Sequence, residues 1–211
     1  QFLHIAKAAV SGGEVTAESV DWPAIFTLAN QQKLLPILFE AARKTPAAEE
    51  NAALFAVTKQ QVIGQMLNQT VRSAEFADLY RKLRTVGLHP IVVKGQLCSR
   101  MYPLKDHRIS ADDDLYIPDA EFMACREQLL ANGLRTGTPA DEFATADEVS
   151  YTKSDSPLYI ELHRHLFDSS EDAHDELNHF FASLKPVETD SFLAMPPHEH
   201  LLYPVLHAYK H

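Results

Sequence analysis

The chain has 211 residues, 45% of them hydrophobic and 9% aromatic, enough to bury a core in one large domain or two small ones. Its formal charge is -10, from 19 basic and 29 acidic residues, which argues against nonspecific binding to nucleic acid or anionic lipid while leaving room for a small anion in a locally basic pocket. Two cysteines, Cys98 and Cys125, form neither a disulfide framework nor a CxxC pair, and no apolar run is long enough to cross a bilayer. Reduced thiols in a cytoplasmic protein are therefore expected.

Residues 1–86 read as almost entirely helical. In DWPAIFTLANQQKLLPILFEAARK, Asp21 is placed to cap a helix and Pro23 falls in the first turn, where its missing N–H costs nothing. Pro36 should divide the stretch into two helices. A longer helical pattern runs from about Ala47 to Arg84 and stops at Gly87. Leu54, Val57, Ile63, Met66, Leu67, Val71, Phe76, Leu79 and Leu83 are expected to mark its buried side.

From His89 the period changes. IVV, between Pro90 and Gly95, suits a buried strand; GQLCSRMY suits a short helix stopped by Pro103. DDDLYI reads as a second strand, and Pro118 with Asp119 opens a helix that closes at Gly133. EVSYTKS and PLYIELHRHL predict two more strands, followed by helices over DAHDELNHFFASL and PPHEHLLYPVLHAYK. The implied organisation is a helical region over 1–86, a mixed α/β core over 87–195, and from 196 to 211 the start of a C-terminal helical region. That last helical pattern stops in mid-course at HAYKH, as expected of a truncated chain.

The chemistry concentrates in three places. In a strand, Asp112 and Asp114 point to one face and Asp113 to the other. Two carboxylates on one face can hold a divalent cation, for which magnesium prefers hard oxygen ligands and retains positions for water and phosphate. Glu161, an acid inside an apolar strand, is expensive unless satisfied and so is the natural third carboxylate. PLYIELHRHL alternates, with Tyr159, Glu161 and His163 on one face. The VVKG turn presents Lys94 and Gly95 before a helix start, with Ser99 one turn on, a geometry suited to phosphate. Arg108, ahead of the acids, carries a fork that binds two oxygens at once, whereas Lys105 reads as a solvated loop charge.

Taken in order, VVKG, a short helix ending in MYP, RISADDDLYIP and YIELHRHL resemble the polymerase-β-type nucleotidyltransferase superfamily. More narrowly, they resemble a bacterial group of uncharacterised nucleotidyltransferase family proteins, whose likeness extends to DWPAIFTLANQQKLLPIL and HAYKH. The resemblance implies an α+β or α/β fold: a small mixed-sheet nucleotidyltransferase core with helices before and after it. It implies Asp112, Asp114 and Glu161 as metal ligands and catalytic groups for Mg²⁺ or Mn²⁺. Lys94, Gly95, Ser99 and Arg108 would face the triphosphate of an NTP such as ATP, and His163 and Lys210 would orient or touch substrate. The reaction would move a nucleoside monophosphate to a hydroxyl or phosphate acceptor and release pyrophosphate.

The chain departs from the family pattern in the glycine turn and in the acidic strand. The glycine–serine pair is absent, Ala111 stands where glycine is common, and Asp113 occupies a place usually apolar. Because a buried Asp113 would be costly, either an exposed strand edge or a diverged site is expected there. Two rival readings stand beside the transferase: a catalytically silent nucleotide-binding relative, and a zinc hydrolase built on Glu161, His163 and His165.

Overall fold

The computed structural model describes residues 1–15, 19–143, 145–168 and 173–210 (side chains to residue 208). They divide into two compact units: 1–71 with 98–110, and 72–97 with 111–211.

The first unit is helical. Helix α1 (Phe2–Ser11) ends at Gly12, whose φ of 69° is the left-handed conformation that closes a helix cheaply for glycine. Helix α2 (Trp22–Gln31) starts as its sequence predicts, with the Asp21 carboxylate accepting from the Ala24 N–H and Pro23 in the first turn. A separate helix α3 (Leu35–Ala42) follows, with Pro36 at its start. After the single turn α4 (Ala47–Glu50) comes the long helix α5 (Ala52–Thr85), whose residues before Arg72 belong to this unit. Trp22, Phe26, Phe39 and Phe55 form its aromatic centre, with ring centroids 5.1–6.0 Å apart. Such rings contribute the largest apolar area per residue to a small core.

The predicted buried side of α5 needs correction. Val57, Ile63, Leu67 and Val71 are exposed, while Phe55, Thr58, Val62, Gln69, Arg72, Phe76, Leu79, Tyr80 and Leu83 are buried. These buried positions keep the three-and-four spacing of one helix face, but polar residues occupy part of it.

The second unit is built on a seven-stranded mixed sheet in the order β3-β4-β5-β2-β1-β7-β6. The strands are β1 (Ile91–Val92), β2 (Asp113–Tyr116), β3 (Leu134–Arg135), β4 (Glu148–Lys153), β5 (Tyr159–His163), β6 (Val187–Glu188) and β7 (Leu193–Ala194). Strand β2 lies inside the sheet, antiparallel to β1 and parallel to β5. The turn helix α6 (Gln96–Ser99) follows β1, and α7 (Asp119–Ala131) follows β2. Helix α8 (His174–Ala182) precedes β6, and α9 (Pro197–Lys210) follows β7. The fold is α+β, and no described helix is long and apolar enough to cross a membrane.

Each sheet face has its own cover. Leu115, Val149, Tyr151, Ile160 and Leu162 pack with Phe76, Leu79 and Leu83 of α5 and Phe122, Cys125 and Leu129 of α7. On the other face Val93, Tyr116 and Met195 pack with Phe181 of α8 and Tyr203 of α9. Burying each such large side chain contributes about 1.5–3 kcal/mol, so both faces are held firmly. The functional candidates lie on the second face.

A carboxylate and histidine site on the sheet

Register brings the predicted acids together. Asp114 pairs with Glu161 across the parallel β2–β5 ladder, and Glu161 pairs with Ser150 and His163 with Glu148 across β4–β5. Because side chains alternate along each strand, Asp114, Glu161, His163 and Glu148 share one face. Ligand atoms of Asp114, Glu161 and His163 all lie within 4.8 Å of one another. Asp112 stands just before β2, half-buried, and its charge is among those acting on Glu161.

Asp114 is fully buried, and its surroundings are incompletely matched to it. Lys94 Nζ lies 2.9 Å from Oδ1 and His163 Nε2 lies 3.4 Å from the same oxygen. Neither approaches in a direction that makes a full hydrogen bond, so both Asp114 oxygens and His163 Nε2 are buried without one. Burial works to raise the Asp114 pKa, but the His163 contact and the Lys94 charge outweigh it and hold the carboxyl below its ordinary value. Glu161 shows the opposite balance. Desolvation, then the negative charges of Glu148, Asp114 and Asp112, push its pKa up to about 7.

Two aromatic residues of α9 complete the surroundings. His207 Nε2 is 3.2 Å from Lys94 Nζ; with the ammonium donating, His207 carries its own proton on Nδ1. The Tyr203 ring is 5.7 Å from that of His207, and its buried hydroxyl lacks a hydrogen-bond partner. Burial, followed by the charges of Asp114, Glu148, Glu161 and Asp112, raises the Tyr203 pKa well above its usual value.

The orphaned oxygens and imidazole nitrogen supply a test for a cation. The unmatched Asp114 carboxylate and His163 nitrogen, converging with the Glu161 carboxylate, fit a divalent ion, whose charge would satisfy what the protein leaves unsatisfied. His165 does not join them. Strand β5 ends at His163, so the alternation stops there, and His165 Nδ1 instead lies 2.6 Å from Asp147 Oδ1. The three-ligand zinc arrangement of Glu161, His163 and His165 is therefore absent among the described residues.

Asp113 lies opposite, in the interior layer. Of the two expectations for it, the exposed strand edge is not found: β2 is an inner strand and Asp113 is 0% exposed. Arg72 Nε donates to its Oδ2 at 2.8 Å, and Gln96 Nε2 donates to its Oδ1 at 3.2 Å. Burial raises the Asp113 pKa, with Arg72 and Gln96 opposing. Gly95 is required by the same packing. Its φ is +55°, and a Cβ there would run into the Asp113 carboxylate and come within 3.0 Å of the Asp113 Cα. Close contact with β2 thus accounts for this glycine.

Two of the remaining predicted residues fall in the other unit. Ser99, buried, and Arg108, half-buried, belong to the first unit; Arg108 ends a short 3₁₀ turn over Lys105–His107. The Lys210 side chain lies outside the described residues. Arg72 and Tyr203 belong to no motif that marks them in the sequence. Arg72 and Tyr203 sit at core positions of helical patterns, where the only available signal is a polar residue or hydroxyl on a buried face.

Comparison with known families decides the wider class. Residues 18–211 match the family described as uncharacterised nucleotidyltransferase. The chain belongs to that family. No curated protein and no solved structure matches it. Family membership and the mixed-sheet α+β fold thus agree with the resemblance carried by VVKG, RISADDDLYIP and YIELHRHL.

Proposed function

We propose that this nucleotidyltransferase-family protein uses a divalent cation, Mg²⁺ or Mn²⁺, to move the NMP group of an NTP to an acceptor hydroxyl or phosphate. The observation that carries the proposal is the convergence of Asp114, Glu161 and His163 within 4.8 Å. Asp114 and Glu161, with Asp112, are the proposed ligands, and the His163 imidazole tilts the set toward Mn²⁺ over an all-oxygen Mg²⁺ cage. A cation held there would offset the negative charge that builds on the phosphoryl oxygens.

The protein's own groups do the rest. The acceptor oxygen attacks the α-phosphorus, the bond to the bridging oxygen breaks, and pyrophosphate leaves. Glu161, with a pKa of about 7, completes the ligand set or takes the acceptor's proton. Lys94, beside Gly95, is the cation already next to Asp114 and would turn to the triphosphate. Ser99, Arg108 and Lys210 stay in the proposal on the family resemblance alone. A net charge of -10 favours a small molecule, sugar or protein acceptor over nucleic acid. The thiols, of which Cys125 is buried with its pKa pushed up to about 12, fit a reducing cytoplasm.

The test is a screen with four labelled NTPs and Mg²⁺ or Mn²⁺, following label transfer in cell extract beside the Asp112→Asn/Asp114→Asn double variant. Transfer lost in the double variant supports the reading; transfer surviving in it assigns the chemistry elsewhere. NTP binding without pyrophosphate release across metals and acceptors points to the silent relative.

A further inference from the structure

We propose that the buried Arg72–Asp113 pair is a positioning device for the cation site on the opposite face of the sheet. The proposal rests on the metal reading above. Arg72 is 3% exposed and Asp113 0% exposed. One guanidinium reaches two strands: its Nε donates to Asp113 Oδ2 at 2.8 Å, and its Nη2 donates to the Tyr159 carbonyl at 3.0 Å. Asp113 in turn takes a hydrogen bond from Gln96 and packs against Gly95. Each tie falls one or two residues from a group of the site. Asp113 adjoins Asp114, Tyr159 is two residues from Glu161, and Gly95 and Gln96 follow Lys94.

Stability alone does not account for the pair. The surrounding layer is apolar, with Leu115, Ile160 and Phe76 in the same cluster. Burying two charges there costs desolvation that an apolar pair of equal volume avoids, so an apolar replacement is neutral or stabilising in many proteins. What an apolar pair cannot supply is direction. A planar fork that bonds a β2 carboxylate and a β5 carbonyl fixes the offset of the two strands, and with it the separation of the Asp114 and Glu161 carboxylates. Ion binding is sensitive to such outer contacts, which typically contribute 10–100-fold in metal affinity.

The full chain is titrated with Mn²⁺ by calorimetry and electron paramagnetic resonance, with metal-free Tm as the control for folding. The Arg72→Met/Asp113→Leu double variant should unfold cooperatively at or above the wild-type Tm and bind Mn²⁺ about 10–100-fold more weakly. Arg72→Lys, which keeps the charge and loses the fork, should also weaken binding. Wild-type Mn²⁺ affinity in a folded double variant overturns the proposal. Should that variant not fold, Asp113→Asn is read in the same way, since it keeps the shape and removes the charge. A wild-type chain that binds no Mn²⁺, or binds it equally well as Asp114→Asn, overturns the metal reading and this proposal together.

Discussion

Asp113 and Asp114 are adjacent, both fully buried, and face opposite sides of one strand. On the interior side, Asp113 meets a guanidinium and an amide that match its oxygens. On the other side, Asp114 meets Lys94 and His163 at distances or angles that leave both oxygens without a directed hydrogen bond. The contrast separates two uses of a buried carboxylate. A matched one holds chain segments together; an unmatched one is costly, and on the proposed reading a bound cation offsets that cost. The sharpest way to break this distinction is to remove each charge in turn. Asp114→Asn should cut nucleotidyl transfer by roughly 10³-fold or more while the metal-free Tm holds or rises, because a poorly matched buried charge has gone. Pyrophosphate release and thermal unfolding, run on the same preparation, check both halves. A variant that keeps its activity removes Asp114 from the chemistry.

Asp113→Ala should do its damage in stability. It strands Arg72 inside the protein without its carboxylate, a change that costs about 3–5 kcal/mol when a buried pair is broken on one side. Chemical denaturation measures this directly. A loss under about 1 kcal/mol, the size of an exposed pair, would mean that the two charges are solvated in the working protein. Gly95→Ala probes the contact between the VVKG turn and the same strand. A Cβ at φ +55° beside the Asp113 backbone should cost about 1–3 kcal/mol, with part of the loss appearing as weaker Mn²⁺ binding through displacement of β2.

These two faces were unequally legible in the sequence. Period-two alternation in DDDLYI and YIELH put Asp114, Glu161 and His163 on matching faces, and the parallel register then aligned them. Strands β3, β6 and β7 are two residues each, too short for any periodicity to register. The interior face was hidden for another reason. The Arg72–Asp113 bond spans 41 residues, and Arg72 stands on a helix whose apolar residues lie all round it. Hydrophobicity alone turns Ile63, Leu67 and Val71 inward, whereas in the folded chain they are exposed and Thr58, Gln69 and Arg72 are buried. A polar residue on a buried face declares itself only through its partner, and the partner is a tertiary fact. The buried hydroxyl of Tyr203 is hidden on the same ground.

A finer comparison is available within the site face, through pH. Glu161 has a folded pKa near 7, above its ordinary range, so the metal-free protein keeps a proton there that the unfolded chain has released. The stability associated with that proton is present at low pH and is lost as pH rises toward and through about 7. A cation needs the ionised form and must displace the proton below that point. Mn²⁺ affinity of the metal-free chain should therefore climb about tenfold per pH unit up to about 7 and flatten above it. Calorimetric titrations at three pH values suffice. Affinity that is flat across the range would place Glu161 outside the ligand set.

The smallest expected effect comes from Glu148, which lies across β4–β5 from His163 and is the largest charged contributor to the raised Glu161 pKa. Glu148→Gln removes that negative charge without changing shape. At His163, whose Nδ1 is 3.5 Å from Glu148 Oε2, it removes a contact that steadies the ring. At Glu161 it removes a repelling charge, and the midpoint there should move down toward the ordinary carboxylate range. Since Glu148 is partly exposed, overall stability should stay within about 0.5 kcal/mol of wild type. Carbon-detected NMR of the Glu161 carboxyl reads the midpoint without involving metal. A midpoint that stays near 7 would show that burial alone sets it, and that the acids on this face act as separate groups rather than as one field.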